Sequence, residues 1–323
     1  MILTVTLNPC VDRTIVIDRL RVGEIIRARR SDTIAGGKGN NVARVLKALG
    51  APVQPVVLAG GETGQLIIRL LRERDGLEPV VSPIREASRE VVTVLAGARQ
   101  PDAGAPAGAG APGIQTAYVE PGPLVTPEEA ASLVQVVAAR LAEADLLVLS
   151  GSVPCPAMND TYARLIGLAR DRGVRTILDT RDEALRLGSA ARPDVLNCNR
   201  AEAELLLGHA LADLPSARNA VRALQSRGPT LVTLTLGPEG FLACSAEGCW
   251  RLNPPPVKVV NPVGAGDALV AGVALGLVRG WPVPELLRYA QAVAAASLRH
   301  WEAGTVAPED VAVLLPQVSL ENF

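Results

Sequence analysis

The chain has 323 residues, of which 48% are hydrophobic and 20% charged, so it can build a sizeable core and is not a disordered segment. Its formal net charge of -1 argues against a nucleic-acid binder whose affinity comes from neutralising many phosphates. We expect a cytoplasmic protein without membrane contact, because no apolar run is long enough to span a bilayer and residues 1–7 lack the charged region of a signal peptide.

Segments with strand and helix patterns alternate along most of the chain. In chain order, strands are predicted at 3–7 and 13–18, a helix at 38–49, a strand at 53–58, a helix at 64–74 and strands at 91–95 and 115–119. There follow a helix at 127–142, a strand at 146–149, a helix at 158–172, a strand at 174–178, helices at 200–207 and 217–227 and a strand at 230–234. A hairpin is predicted around residues 247–248, and the chain ends in helices at 268–279, at 284–299 and after Pro308.

The order of these elements predicts two sheets. From residue 146 onward the βαβα pattern indicates a parallel sheet covered by helices. The strands at 13–18, 91–95 and 115–119 lack intervening helices, so we expect a small separate sheet, such as a flap over a site. Residues 97–113 are rich in Ala, Gly and Pro and are predicted to form a surface loop.

The cysteines and histidines give no sign of a metal site. The cysteines are odd in number, scattered and without the paired spacing of metal ligands, so we interpret all of them as free thiols, buried or inert. They are Cys10, Cys155, Cys198, Cys244 and Cys249. Since His209 and His300 are the only histidines, neither a histidine-based triad nor a zinc site is expected.

The stretch Asn261-Pro-Val-Gly-Ala-Gly-Asp267 leads directly into an apolar helix and is the first candidate for chemistry. Gly264 and Gly266 allow backbone N–H groups to converge, and the start of a helix adds free N–H groups and its positive dipole end. Such a turn suits an anion, for example a phosphate. From this stretch alone, Asp267 is either a helix cap or a proton acceptor beside that anion.

A second glycine turn, Ala35-Gly-Gly-Lys-Gly39, lies at the start of the helix predicted at 38–49. Its N–H groups and the Lys38 ammonium can hold an anionic substrate, or the turn is structural and the lysine is solvated. Asp12 follows the first strand, where ligands of open α/β sheets gather. It either accepts hydrogen bonds from sugar hydroxyls or only forms a turn.

Polar residues also follow two later strands. Asn199 and Glu202 have the spacing of a capping box, or they reach a hydrated Mg²⁺ beside phosphates, since magnesium takes oxygen ligands and keeps its waters. Residues 235–240 are either a simple β-turn or the neighbour of a nucleotide. Several such turns at the carboxyl ends of successive strands are stronger evidence than one, because the fold brings those ends together.

Taken in order, these motifs resemble a known family across nearly the whole chain. They are Thr6-Leu-Asn-Pro9 with Asp12, Gly36-Gly-Lys-Gly39 with Asn41-Val-Ala-Arg44, Ser88-Arg89, Pro121-Gly-Pro123 with Pro127-Glu-Glu129, Ser150-Gly-Ser152, Leu178-Asp-Thr180, Asn199-x-x-Glu202, Leu236-Gly237 and Gly264-Ala-Gly-Asp267. Their combination resembles the PfkB (ribokinase-like) carbohydrate kinases, in particular the branch of 1-phosphofructokinase and tagatose-6-phosphate kinase. The resemblance implies a ribokinase-like three-layer α/β/α sandwich with a small β-sheet lid, in a single kinase domain over residues 1–323. The lid strands would come from about residues 11–35 and 88–120.

The resemblance also implies a role for each matching residue. Asp267 corresponds to the catalytic base, and Gly264, Ala265 and Gly266 to the anion hole beside it. The substrate would be bound by Asp12, Gly37, Lys38, Asn41 and Arg89, of which Lys38 and Arg89 suit a substrate phosphate. The nucleotide would contact Asn199, Thr235, Leu236, Gly237, Gly240, Gly266 and Ser297. Mg²⁺ would be bound beside the phosphates by Asn199 and Glu202, through water.

The activity implied is ATP- and Mg²⁺-dependent phosphorylation of a ketohexose phosphate, best matched by conversion of fructose 1-phosphate to fructose 1,6-bisphosphate. Tagatose 6-phosphate and fructose 6-phosphate are alternative substrates, and the cations Lys38 and Arg89 argue against an unphosphorylated sugar. Asn197-Cys198 stands where the branch usually has Lys-Pro, so a positive charge is missing on the nucleotide side of the site. This departure leaves open an alternative function as a non-catalytic regulator that binds a sugar or a nucleotide. Only small-molecule partners are expected, apart from a homodimer through the lid, as in many members of the family.

Overall fold

A computed structural model describes residues 1–97 and 114–323, so most of the loop predicted at 97–113 lies outside the described residues. The strands are β1 (Ile2–Thr6), β2 (Cys10–Ile17), β3 (Arg30–Gly36), β4 (Val53–Ala59), β5 (Val80–Pro83), β6 (Arg89–Ala96), β7 (Ile114–Val119), β8 (Leu146–Ser150), β9 (Arg175–Asp179), β10 (Val195–Asn199), β11 (Leu231–Thr235), β12 (Phe241–Ser245), β13 (Gly248–Asn253) and β14 (Ser319–Asn322). The helices are α1 (Lys38–Ala48), α2 (Gly61–Glu73), α3 (Pro127–Arg140), α4 (Thr161–Arg170), α5 (Asp182–Ala190), α6 (Arg200–Leu207), α7 (Leu214–Gln225), α8 (Ala265–Val278), α9 (Val283–Ser297) and α10 (Pro308–Leu314). Within the described ranges, no helix combines the length and the apolar character needed to cross a membrane.

Ten strands form a large mixed sheet in the order β14-β13-β12-β11-β10-β9-β8-β1-β4-β5. The strands from β11 to β5 in that order are parallel, and β12, β13 and β14 add antiparallel strands at one edge. Ile2 and Leu3 of β1 belong to different core clusters, because successive side chains of a strand point to opposite faces. Ile2 packs in the cluster built by α1, α8, α9 and α10, and Leu3 in the cluster built by helices α3 to α7. Helices therefore cover both faces, which confirms the predicted α/β/α sandwich.

The second sheet has four strands in the order β3-β2-β6-β7. β2 pairs antiparallel with β3 and parallel with β6, so that Cys10 lies opposite both Gly36 and Arg89. This register brings Arg89 and the glycine turn before α1 to the end of β1. The prediction of a small separate sheet is confirmed, with β3 as an added strand whose polar and largely exposed first half gave no strand pattern.

Most elements lie within a few residues of their predicted positions, and α6 has the predicted bounds. The prediction omitted β5, α5 and β14, and it gave no bounds for β10, although it placed Asn199 after a strand. β5 is only four residues long and ends in a proline, and β14 is a mostly exposed edge strand. α5 has no side-chain cap at its N-cap residue Arg181, and its first residue, Asp182, has a φ of 57°, so the usual signal for a helix start is missing.

Cys244 and Cys249 form a disulfide, so the interpretation of every cysteine as a free thiol is wrong for this pair. The predicted hairpin explains the pairing, because it places Cys244 directly opposite Cys249 in β12 and β13. The spacing of the two cysteines in the sequence does not by itself reveal the pair, because the register of the hairpin must be known first. Cys10, Cys155 and Cys198 are free and buried, and burial raises the pKa of the Cys10 thiol to about 12.

Candidate active site

A cavity of about 410 Å³ lies between the small sheet and the carboxyl ends of strands β1, β8 and β9. Ligands of open α/β sheets bind at such an edge, because the loops that follow parallel strands converge there. Its polar and glycine lining includes Asn8, Gly37, Lys38, Asn41, Arg89, Ser152, Arg181, Gly264, Gly266 and Asp267. The fold thus brings together residues that are far apart in the sequence and that carry most of the predicted substrate and catalytic roles.

The start of α8 forms one wall of this cavity. Gly264 is the N-cap residue with a φ of 87°, a conformation that favours glycine, and a Cβ atom there would lie 2.8 Å from the backbone nitrogen of Gly304. The N–H groups of the first turn have no acceptor within the helix. Asp267 does not cap α8, which has no side-chain cap hydrogen bond. This wall therefore offers N–H groups without an acceptor in the helix, together with a carboxylate that bonds a residue of another helix.

That partner is Asn41 on α1, whose Nδ2 donates to Asp267 Oδ2 at 2.7 Å. The Asp267 side chain is buried, with 5% of its surface exposed. Burial raises the pKa of Asp267 to about 7, although Lys38 and the Asn41 hydrogen bond oppose the shift and Asp179 adds to it. A carboxylate that titrates near neutral pH can both accept and release a proton, as a general base must.

Lys38 crosses the cavity floor to Asp179 at the end of β9. Its Nζ lies 3.1 Å from Oδ1 and 3.2 Å from Oδ2 of Asp179, and the lysine side chain remains 42% exposed while that of Asp179 is 2% exposed. Ser150 and Asn197 donate further hydrogen bonds to the same carboxylate, at 2.9 and 3.2 Å. Burial alone lowers the pKa of Lys38, but the attraction of Asp179 and Asp267 outweighs it and leaves that pKa above its ordinary value. Lys38 is therefore a fixed cation at the cavity.

Arg89 and Asn8 form the wall next to the small sheet. Arg89 Nη2 donates to the Asn8 carbonyl at 3.3 Å, and Asn8 Nδ2 donates to Ser152 Oγ at 3.3 Å. Gly37 is required here because a Cβ atom would lie 2.7 Å from Thr6 Cγ2. Lys38 and Arg89 thus present two cations to one cavity, and their contact with a substrate phosphate stays a prediction.

Asp12 lies apart from this group. It lines a separate cavity of about 30 Å³, together with Asn261 and Trp301, between the small sheet and the loop after α9. Among the described residues its Oδ1 is buried without a hydrogen-bond partner, and burial raises its pKa despite Arg44 and Arg89. Its role as a ligand of sugar hydroxyls remains a prediction.

A second cavity of about 630 Å³ lies between the hairpin strand β12, residues 254–262 and helices α8 and α9. Its lining is mostly apolar and includes Thr235, Gly237, Gly240, Pro254, Pro255, Pro256, Gly266, Gln291 and Leu298. Gly266 lines both cavities, so the two meet at the first turn of α8. Of the predicted nucleotide residues, Leu236 is buried beside the cavity without lining it, and the Ser297 hydroxyl donates to the Ala294 carbonyl.

Asn199 and Glu202 form the capping box of α6. Asn199 Oδ1 accepts from the Glu202 N–H at 3.0 Å, and Glu202 Oε2 accepts from the Asn199 N–H at 2.8 Å. Neither residue lines the two cavities, but Glu202 is close enough to Lys38 to affect its ionisation. Over residues 1–97 and 114–323, no group of three His, Cys, Asp or Glu side chains could hold a metal ion by itself.

Several residues of the site had no assigned role from the sequence, among them Asp179 and Arg181. Asp179 anchors Lys38; it stands in the motif Leu178-Asp-Thr180, which carried the resemblance but no role for this carboxylate. Arg181 lines the 410 Å³ cavity as a third cation, with its side chain 61% exposed and paired with Asp182 at 3.4 Å. None of the sequence motifs includes Arg181, so nothing in the pattern indicated it.

A phosphotransferase needs adjoining sites for its donor and its acceptor, and the two cavities that meet beside the buried Asp267 suit this class of enzyme. The chain belongs to the pfkB family of carbohydrate kinases, whose family model matches residues 5–78 and 118–310. It is therefore a kinase that acts on a sugar hydroxyl, which confirms the predicted family and enzyme class.

Individual relatives extend along the whole chain. A tagatose-6-phosphate kinase of Staphylococcus epidermidis is 30% identical over 323 residues, covering 99% of either chain. The phosphofructokinase-2 of Escherichia coli, solved in complex with fructose-6-phosphate, is 26% identical with a TM-score of 0.83, covering 98% of each chain. Ribokinase from Arabidopsis thaliana, complexed with ribose and ATP, has a TM-score of 0.72 at 22% identity, covering 97% of this chain and 98% of that one, and supports the fold alone.

Proposed function

We propose that this protein transfers the γ-phosphate of ATP to a hydroxyl of a ketohexose phosphate, with fructose 1-phosphate as the preferred acceptor and fructose 1,6-bisphosphate as product. One observation carries the proposal: the buried, hydrogen-bonded Asp267 sits at the helix start where the two cavities meet at Gly266. A sugar phosphate in the smaller cavity and a nucleotide in the larger one would bring acceptor and donor together at this carboxylate.

In this reaction Asp267 accepts the proton of the attacking hydroxyl, an effect typically worth about 10²–10⁴-fold. The N–H groups that follow Gly264 bind the oxygens of the transferring group, where charge develops as the bonds change. Closure of the small sheet as a lid over the smaller cavity would exclude water and limit wasteful hydrolysis.

A phosphorylated acceptor is supported by the charges in the smaller cavity. Lys38, Arg89 and Arg181 line the same space. Lys38 and Arg181 each pair with an acidic residue, whereas Arg89 donates to the neutral Asn8 carbonyl and would gain an anionic partner from a substrate phosphate. The names of the relatives, a tagatose-6-phosphate kinase and a phosphofructokinase-2 bound to fructose-6-phosphate, support the same class of substrate. They also make tagatose 6-phosphate and fructose 6-phosphate the second candidates.

ATP fits the larger cavity, whose apolar walls suit the flat base of a nucleotide and whose end at Gly266 reaches the N–H groups of α8. Mg²⁺ would arrive with the phosphates and neutralise part of their charge. Glu202 bonds the Asn199 N–H through Oε2, which leaves Oε1 to accept from a metal-bound water. Asn199 would contribute only as the cap that holds Glu202 in place.

The remaining proposals concern assembly and location. Residues 1–323 would act as one kinase domain, with lid strands from about 11–35 and 88–120. Tyr118 and Val119 at the end of β7 are each 58% exposed, so the small sheet offers an apolar surface for a homodimer, which light scattering after gel filtration would detect. A cytoplasmic location, where small sugar phosphates are metabolised, remains a proposal.

A substrate panel tests the proposed function. ATP, Mg²⁺ and the purified protein are incubated with fructose 1-phosphate, fructose 6-phosphate, tagatose 6-phosphate or unphosphorylated fructose, and ADP release is measured. We expect the highest kcat/KM with fructose 1-phosphate and the lowest with fructose. Preference for one of the 6-phosphates would change the assigned substrate, and preference for fructose would overturn the sugar-phosphate class.

The substitution Arg89→Ala should raise the KM for the sugar phosphate about 10- to 100-fold, because a charge-assisted hydrogen bond to a phosphate is worth about 1.5–3 kcal/mol. The KM for ATP should change little, since Arg89 lines only the smaller cavity. Arg181→Ala is the matched control, because this arginine lines the same cavity but is mostly exposed and should have a smaller effect. Equal effects of Arg89→Ala on both substrates would make Arg89 a structural residue.

The rate should depend on pH through the ionisation of Asp267, whose pKa burial raises to about 7. We expect kcat/KM to rise with pH through about 7 and to level off above it, because only the ionised carboxylate accepts a proton. A phosphate monoester also titrates near about pH 6, so carbon-13 NMR of the Asp267 carboxyl must show the same midpoint. A profile that is flat between about pH 5 and 8 would contradict this role.

The same shift predicts how stability depends on pH. The folded-state pKa of Asp267 lies above the ordinary value of 3.8, so folding favours the protonated carboxyl. The contribution of this group to stability is fully present below the unfolded-state pKa and is lost as pH rises through about 7. Asp267→Asn should therefore gain stability over the wild type at about pH 8 and gain less at about pH 5. Thermal unfolding of the variant and of the wild type measures the stability difference at each pH. An equal difference at the two pH values would contradict the raised pKa of Asp267.

A further inference from the structure

A chain of hydrogen bonds leads from Asp267 through Asn41 and Arg44, one turn apart on α1, to Asp75, which follows α2. Asn41 Nδ2 donates to Asp267 at 2.7 Å, and Asn41 Oδ1 accepts from Arg44 Nη1 at 3.0 Å. Arg44 in turn donates to both carboxylate oxygens of Asp75, from Nε at 3.0 Å and from Nη2 at 2.9 Å. Neither Arg44 nor Asp75 lines the two cavities, so neither contacts a substrate in them.

Arg44 is held rigidly by its surroundings. Besides Asp75 and Asn41, it donates to the carbonyl of Ala35 at 2.8 Å and to the carbonyl of Ala303 at 3.1 Å. Its side chain is 11% exposed and that of Asp75 is 4% exposed, so this ion pair is shielded from water. A planar guanidinium with several fixed acceptors has one orientation, which a single ammonium cannot reproduce.

This orientation decides which end of the Asn41 amide faces the carboxylate. A side-chain amide has an acceptor oxygen and a donor nitrogen of nearly the same shape, and its hydrogen-bond partners determine which way it points. Arg44 has only donors, so it must bond Asn41 Oδ1 and thereby turns Nδ2 toward Asp267. With the amide reversed, an oxygen would face the carboxylate, and the protonated form of Asp267 would be favoured.

We propose that Arg44, clamped by Asp75, is a positioning residue for Asp267: it fixes the Asn41 amide so that the catalytic carboxylate stays ionised and correctly aimed. The proposal rests on the proposed function of Asp267 as proton acceptor. It adds an ion pair outside the substrate cavities, Arg44–Asp75, which controls the proton acceptor Asp267 through the side chain of Asn41.

Other charges also face Asp267, and the test must separate them. Lys38 on α1 and Asp179 on β9 act on the carboxyl directly, and Arg44 itself adds a positive charge that lowers its pKa. Arg44→Lys keeps the charge but cannot bond Asp75, Asn41 and two carbonyls at once. Arg74→Lys is the matched control, because Arg74 bonds Asp32 and the Thr33 carbonyl on the small sheet and does not contact Asn41.

The experiment is a carbon-13 NMR titration of aspartate carboxyls in the full chain, with the Asp267 signal identified by its loss in Asp267→Asn. In Arg44→Lys we expect the Asp267 midpoint to rise by at least about one pH unit, a tenfold change in acidity. The midpoint should be unchanged in Arg74→Lys. In an Asn41→Leu background, Arg44→Lys should produce no further rise, because the intervening amide is gone.

An unchanged midpoint in Arg44→Lys would overturn the proposal. An equal rise with and without Asn41 would also overturn it, because Arg44 would then act on Asp267 without the Asn41 amide. If Arg44→Lys does not fold, Asp75→Asn loosens the same clamp and should raise the midpoint in the same direction. The titration needs no turnover, so it separates failure of the positioning role from failure of the kinase assignment. If the protein proves active, the rising limb of kcat against pH should move by the same amount.

Discussion

Asp267→Asn should lower the rate of phosphoryl transfer by at least about 10²-fold while leaving ATP binding intact. Asparagine keeps the size of the side chain but cannot accept the proton of the attacking hydroxyl. The loss should appear in kcat, because the carboxylate acts on the reacting hydroxyl rather than on the bound nucleotide. Single-turnover transfer and calorimetric titration with ATP measure the two effects separately.

Asp310→Asn provides the control for this substitution. Asp310 also lies in the first turn of a helix, α10, but it pairs with Arg299 and His300 away from both cavities. Its replacement should leave the rate within about twofold of the wild type, as is usual for surface substitutions. Turnover by Asp267→Asn at the wild-type rate would remove Asp267 from the mechanism, and loss of ATP binding would make it a structural residue.

Gly264→Ala should lower kcat by about 10²-fold or more, the usual effect of disturbing donors to a developing charge. Alanine disfavours the φ of 87° at this position, and its Cβ would lie 2.8 Å from the Gly304 nitrogen, so the turn must move. The N–H groups of α8 would move with it. We also expect the free energy of unfolding to fall by about 1–3 kcal/mol, the usual cost of a strained backbone conformation.

Gly266→Ala is the matched comparison two residues further on. A Cβ atom on Gly266 would meet no atom within 4 Å, and the residue lies inside α8, so stability should be unchanged or higher. The added methyl group would enter the space where the cavities meet, so the KM for ATP should rise. Equal thermal stability of the Gly264 and Gly266 variants would contradict the strain assigned to Gly264.

The sequence predicted the layers of the fold well because alternating hydrophobic segments of suitable length are local signals. The parallel strands around β1 and their covering helices follow from that pattern. Elements without such a signal were missed: α5 starts at Asp182 with no side-chain cap, and β14 is mostly exposed. The Cys244–Cys249 disulfide depends on hairpin register, which no local pattern determines.

The site was predicted in part for a similar reason. Glycine turns after strands are visible in the sequence, and the structure brings Lys38, Arg89 and Asp267 to one cavity, as the resemblance implied. The contacts that set their charges were not predictable, because each joins distant segments. Asp179 reaches Lys38 across 141 residues, and Asn41 reaches Asp267 across 226.

The spacing of Asn199 and Glu202 left two readings open, and the structure realises the capping box. Both groups are engaged with each other's backbone, so the proposed contact with magnesium falls to the remaining carboxylate oxygen of Glu202. Asp12 and Ser297 also lie outside the two main cavities, so the roles that the resemblance implied for them stay predictions.

The most direct test of the central claim is phosphorus-31 NMR of the reaction products. The protein is mixed with ATP, Mg²⁺ and fructose 1-phosphate, and the fate of the γ-phosphate is followed over time. We predict that a new sugar phosphomonoester signal grows in step with the loss of ATP, and that the signal is absent with Asp267→Asn. Conversion of ATP to ADP and inorganic phosphate alone, or no conversion with any ketohexose phosphate, would contradict the account.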